Sequence, residues 1–204
     1  MRVCDVIECS GVPCPDVDRS AYLVPDVDVD PGAVSIILVS ECSPPDPADG
    51  YHGPGDPLFA RTTVAAFNDA GVAVSSVADI LARGVYLTTA VKCAKTGSAI
   101  DPGTIRACSG LLEREMGLFP NARVLLLMGD VAIRAVNEIA KRAGEPRVVP
   151  AGATYRIRGG EFRFRGLRVL PSYLQAGPAF FIEKSKRRMI AEDIARAFEI
   201  AAGG

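Results

Sequence analysis

The sequence has no tryptophan and a single histidine, His52. Any mechanism that needs a histidine pair is excluded at once. No apolar run reaches the roughly 18 residues needed to cross a bilayer. The first 14 residues carry Asp5 and Glu8 among their apolar positions, unlike the basic-then-apolar form of a secretory signal. A cytoplasmic protein without a membrane partner is the expectation. An excess of one charge is missing too: 23 Lys and Arg face 24 Asp and Glu, a net charge of −1. That excludes a uniformly basic nucleic-acid binder and leaves room for a local basic patch. No phosphate-binding Walker loop, dinucleotide fingerprint, G-x-S-x-G or H-E-x-x-H occurs. The cysteines lack the paired C-x2-C spacing of a zinc ribbon.

What is present is a globular balance, 49% apolar and 23% charged over 204 residues. That length suits one domain with a short appendage. We divide the chain into a Cys-rich segment, 1–32, and a domain, 33–204. Six cysteines occur: Cys4, Cys9, Cys14, Cys42, Cys93 and Cys108. A reducing compartment argues against disulfides. Buried apolar thiols, metal or cluster ligands, and reactive thiols all stay open. Cys4, Cys9 and Cys14 lie in a segment with little apolar periodicity, which must be held by something besides packing.

Ala33 to Val39 is short, apolar and β-branched, as a strand buried on both faces should be. Val85–Val91, Arg123–Met128 and Leu167–Leu170 read the same way. Between them the pattern predicts helices over Thr63–Ala70, Ser76–Arg83, Asp101–Met116 and Gly129–Ala143, with a closing helix over Glu183–Ala202. Thr154 to Arg165 alternates around Gly159-Gly160, which predicts a hairpin. Such alternation defines an α/β sheet covered on both faces, with ligands beyond the carboxyl ends of the strands. Those ends lead into 40–57, 92–101, 129–130 and 171–182.

The first of these segments has five prolines and carries Glu41, Asp46, Asp49, Tyr51 and His52. Carboxylates at a strand end can orient water or stabilise a developing cation; solvated loop acids are the plain alternative. Cys93 and Cys108 stand fifteen residues apart across a loop and into a helix. Lys184, Lys186, Arg187 and Arg188 form a basic segment beside Arg156, Arg158, Arg163, Arg165 and Arg168. Phosphate contact suits that clustering.

These segments, in this order, resemble the uracil-DNA glycosylase superfamily, and in particular its iron–sulfur branches, often numbered four and five. The likeness spans about residues 33–200. It is strongest from Gly84 to Val136, in G-V-Y-L-T-T-A-V-K-C, I-R-A-C and G-L-F-P-N-A-R-V-L-L-L-M-G-D-V-A-I-R-A-V. Leu170-Pro171-Ser172-Tyr173-Leu174 is similar to the family's H-P-S-Y-L at the start of its DNA-intercalating loop. Val39-Ser40-Glu41-Cys42-Ser43-Pro44 stands where the family has V-G-E-A-P-G or a variant.

The resemblance implies a three-layer α/β/α sandwich with a central parallel four-stranded sheet. It implies a monomer acting on DNA, duplex or single-stranded, with a base flipped into a pocket at the strand ends. Uracil or another deaminated base is the implied substrate. Glu41 and His52 are the catalytic candidates, with Ser40, Cys42, Phe59, Thr89 and Ser172 around the base and Lys184, Lys186, Arg187 and Arg188 on the phosphates. It further implies a 4Fe-4S cluster on Cys93 and Cys108, with Cys9 and Cys14 as the preferred second pair and Cys4 as the spare.

There are departures. The family His before P-S is Leu170 here, or Leu174 in the alternative alignment. His52 is the only substitute. A base-reading Asn of one branch is Thr89, and the stacking aromatic falls at Leu58 or Phe59. Losing a donor to a developing anion can cost about a hundredfold in rate. Two other readings therefore stand beside the glycosylase: a degenerate member that binds nucleic acid without cleavage, and an iron–sulfur module with a small-molecule pocket.

Overall fold

The computed structural model describes residues 1–9, 11 and 14–203. Six strands form one sheet: β1 (Val17–Asp18), β2 (Ile36–Ser43), β3 (Val85–Lys95), β4 (Val124–Met128), β5 (Phe162–Phe164) and β6 (Leu167–Ser172). Their order is β1-β3-β2-β4-β6-β5. The central four are parallel, as the resemblance implies, and β1 and β5 add short antiparallel edges. Both faces of the central strands are apolar because helices cover both.

One face packs α3 (Pro102–Met116) and α4 (Asp130–Arg142); the other packs α1 (Leu58–Asp69), α2 (Val77–Ala82) and α7 (Lys184–Ala202). The caps explain the boundaries. Asp101 accepts from the Gly103 amide and Pro102 starts α3. Ser76 and Asp79 form a reciprocal capping box on α2. Helix α1 begins five residues earlier than the sequence pattern suggests, because Asp49 accepts from the Leu58 amide and so anchors its first turn.

The 154–165 region differs from expectation. Thr154–Ile157 forms a single helical turn, α5, and Gly159-Gly160 only ends it. The hairpin lies just downstream, with Arg165-Gly166 as its two-residue loop between β5 and β6. Both loop residues have positive φ, 48° and 86°, which a twist-matched two-residue hairpin loop requires. Arg165 tolerates that strain while its guanidinium bonds Glu113 and Glu145.

Packing does hold the N-terminal segment, contrary to the sequence expectation: its residues join the main core. Val3, Ile7, Val17, Val24 and Val29 cluster with Val39, Val91 and Leu112. The Leu23 amide donates to the Lys92 carbonyl, and Thr96 donates back to Asp16. The segment thus lies against the carboxyl end of β3. Among the described residues, no helix is long and apolar enough to cross a membrane.

Candidate active site

Glu41, near the end of β2, faces the start of α4. Its carboxylate accepts from the Val131 amide at 3.4 Å, in the positive end of that helix. Gly129 permits this closeness: its φ is +102°, and a Cβ there would lie 2.5 Å from Glu41 Oε1. The Gly129 amide in turn donates to the Ser172 carbonyl, tying the ends of β4 and β6 together.

A small cavity of about 90 Å3 opens between the ends of β2 and β3. Ser43, Tyr51, His52, Thr88 and Thr89 line it, and Leu23, Pro25 and Asp26 of the N-terminal segment close one side. It is far below the ~300 Å3 of pockets that take drug-sized ligands, so it suits a single ring. His52 is exposed at its edge. The protein packed around His52 lowers its imidazole pKa, against an opposing attraction from Asp26. The other acids of this loop act locally: Asp46 caps a turn through the Ala48 amide, and Asp49 caps α1.

Behind the cavity runs a buried hydrogen-bond chain. Gln175 Nε2 donates to the Tyr51 hydroxyl at 2.9 Å, Tyr51 donates to Ser40 Oγ at 2.7 Å, and Ser40 donates to the Thr88 carbonyl at 3.2 Å. Burial pushes the Tyr51 phenol up to about 12. Phe59 packs against the same tyrosine, ring centres 5.5 Å apart.

Of the base-contact candidates, Thr89 alone lines the cavity. Ser40 and Phe59 contact Tyr51, which lines it. Cys42 is half-buried where the β2–β3 register shifts. Ser172 is fully buried and donates to Asp193 at 2.6 Å, and Arg158 grips that carboxylate with two nitrogens. His52 lines the cavity and Glu41 does not; Glu41 is held instead at the start of α4.

A second buried network underlies Thr88 and Thr89. The Lys92 ammonium pairs with Glu115 and donates to Thr88 Oγ1 and the Thr89 carbonyl. Tyr86 and Thr88 donate to the other Glu115 oxygen.

The basic segment opens α7. Lys186 pairs with Glu183, Arg187 with Asp69, and Arg188 approaches Glu192 at 3.7 Å; Lys184 is exposed. Arg187 also lies over the Phe180 ring and Lys186 over Tyr173. Beside them Leu174 and, on the single turn α6 (Ala179–Ile182), Phe181 and Ile182 are exposed, Ile182 to 77%. An apolar ridge flanked by cations thus follows the end of β6.

Four thiols come together at another place. Cys9, Cys14, Cys93 and Cys108 all line one cavity of about 400 Å3, between the N-terminal segment, β3 and α3. Tyr22 shares it, its phenol pushed up to about 12 by burial. Cys4 points elsewhere, its Sγ 3.5 Å from Asp26. Among the described residues no three ligating side chains are grouped as a single metal ion requires.

Gln175, Glu115 and Asp193 give no signal in the sequence pattern. Lys92 carried a signal, a lysine inside an otherwise buried strand. The carboxylates that answer such cations are far away in the chain and give no local signal.

A parallel sheet with polar groups gathered at its carboxyl ends defines an α/β protein with its ligand site at the strand ends. The profile described as the uracil DNA glycosylase superfamily matches residues 49–191. The chain belongs to that superfamily. It is also similar to a type-5 uracil-DNA glycosylase of Thermus thermophilus, 32% identical over 99 residues. That match takes in 48% of this chain and 45% of the relative, so the chain spans about half the length of the curated relative it matches.

Proposed function

We propose that this protein is a DNA base N-glycosylase that removes uracil or another deaminated base flipped out of the helix. The observation that carries this reading is the base-sized cavity at the ends of β2 and β3, with Ser43, Tyr51, His52, Thr88 and Thr89 on its walls, in a chain of this superfamily. Cleaving the glycosidic bond leaves an anionic base and a cationic sugar. A donor aimed at the base oxygen and a carboxylate near the sugar or its water answer these two charges. His52, whose lowered pKa keeps it neutral, would donate its N–H to the base. Glu41, fixed on the Val131 amide, would serve the water or the sugar. Thr89 would contact the base, with Ser40, Cys42 and Phe59 shaping its surroundings; Ser172 would act through Asp193. Lys184, Lys186, Arg187 and Arg188 would meet phosphates, with Ile182 and Phe181 against the opened stack.

The four-thiol cavity fits a 4Fe-4S cluster on Cys9, Cys14, Cys93 and Cys108. Four thiolates are the donor set such a cluster requires, and Cys9, Cys14, Cys93 and Cys108 share one cavity. When bound, the cluster would supply a fixed cross-link between the N-terminal segment, β3 and α3. On this reading residues 33–204 form the glycosylase domain, 1–32 pack on it, and the protein works in the cytoplasm as a monomer.

The test is excision from duplex and single-stranded oligonucleotides carrying uracil, hypoxanthine or xanthine, after anaerobic purification with the visible spectrum recorded. Cleavage that disappears in Glu41→Ala or His52→Ala supports the reading. A folded, brown protein that cleaves none of them overturns it. A binding-only member is then the better reading, favoured by Leu170 and Leu174 at the two positions where the family His could fall.

A further inference from the structure

The carboxylate that lines the base-sized cavity is not Glu41. Among the described residues on its wall, Asp26 carries the only carboxylate, and it comes from the N-terminal segment. That segment is anchored on both sides of Asp26. The Leu23 amide donates to the Lys92 carbonyl at 2.7 Å, and Val24 and Val29 are buried in the core. The loop that carries His52 packs closely against it, since a Cβ on Gly50 would lie 2.6 Å from Leu23 Cδ2. Arg2 holds Asp26 in place: its Nε donates to Oδ1 at 2.9 Å, and a second guanidinium nitrogen donates to the same oxygen. The Cys4 thiol lies 3.5 Å from that oxygen too. Arg2 chiefly, and then Cys4, hold the carboxyl below its ordinary value, so it is ionised at neutral pH. The side chain is 59% exposed, which puts it at the mouth of the cavity and not on its floor.

We propose that Asp26 is a further catalytic residue, the carboxylate that faces the sugar of a nucleotide whose base fills this cavity. This rests on the glycosylase reading and goes further into it. A cavity of about 90 Å3 holds little more than the base ring, so the sugar and its glycosidic bond stay at the opening. When that bond breaks, its electron pair leaves with the base and C1′ becomes positive. A water oxygen then bonds C1′, and its proton passes to the base anion or to solvent. A fixed negative charge at the opening lowers the energy of the cation between these two events. His52 and Asp26 are both exposed there, so the charge developing on the base and the charge developing on the sugar each meet a group of opposite character. Glu41, held on the Val131 amide off this wall, is left to serve the water.

The experiment measures binding of the full chain to oligonucleotides that carry one of two base-free sugar probes. One is a pyrrolidine nucleotide, cationic at neutral pH; the other is a neutral tetrahydrofuran nucleotide of the same shape. Anisotropy reads the affinities, and cleavage of the uracil, hypoxanthine and xanthine substrates is followed in parallel. Wild type should prefer the cationic probe. In Asp26→Asn that preference should fall about tenfold, with tetrahydrofuran affinity unchanged. Arg2→Ala should raise it, because the Asp26 charge is then uncompensated; a merely structural role would move both variants the same way. An unchanged preference in Asp26→Asn, no rise in Arg2→Ala, or a loss confined to Glu41→Gln overturns the inference and leaves the glycosylase reading standing. So does a wild type that cleaves but does not prefer the cation. A wild type that neither cleaves nor prefers it overturns that reading as well.

Discussion

Lys92 and Glu115 form an ion pair that is shut off from solvent, with side chains 0% and 1% exposed. It sits directly beneath the two threonines of the cavity wall, and each charge is also hydrogen-bonded. Taking one partner away strands the other in a medium that solvates it poorly. Lys92→Met or Glu115→Leu alone should cost about 3–5 kcal/mol of stability in urea unfolding. The double variant should recover most of that loss. A double variant as weak as the sum of the singles would show that the pair does not act as a unit.

Gly129 and Glu41 should be coupled in the same sense. Gly129→Ala puts an L side chain at φ +102° and a methyl against the carboxylate. The backbone part should cost about 1–3 kcal/mol. Glu41→Gly in the same chain removes the clash and leaves only the backbone strain. Melting curves of the two singles and the double should therefore show a favourable interaction between the substitutions.

Asp193 is buried, and desolvation holds its carboxyl above the ordinary value despite Arg158 and Ser172. A carboxylate whose folded pKa is raised contributes stability below its unfolded pKa, near 3.8, and loses it as pH rises through the folded value. The stability of wild type relative to Asp193→Asn should thus fall as pH climbs above about 4. Denaturant midpoints of both proteins across a pH series read this directly. A difference that grows with pH would contradict the assignment.

The thiol cavity separates the six cysteines into two groups. Cys93→Ala or Cys108→Ala should remove iron and visible absorbance from anaerobically purified protein. Cys4→Ala and Cys42→Ala, away from that cavity, should retain both. Iron analysis per chain checks each variant.

The sequence pattern shows the sheet and most helices because short β-branched runs such as 85–91 and caps such as Asp101-Pro102 act locally. The hairpin lies downstream of Gly159-Gly160 because Arg165, with positive φ, gives no glycine signal, and its compensation comes from Glu113 and Glu145 far away in the chain. The site was legible as a set of segments, and Thr89 and His52 do share a cavity. Its wiring was not legible. Nothing near Gln175 in sequence announces that it will meet Tyr51, because a parallel sheet brings strand ends together over long separations.

The N-terminal segment walls the base-sized cavity and supplies two of the four thiols, while its partners on β3 and α3 come much later in the chain. During synthesis Cys14 leaves the ribosome about ninety residues ahead of Cys108, which at ~5–20 residues per second is a delay of about 5–20 s. For that interval Cys9 and Cys14 have neither a sheet edge to pair with nor their partner thiols. The segment is thus made early and seated only after β3 and α3 have followed it, so one wall of the cavity waits on strands far downstream.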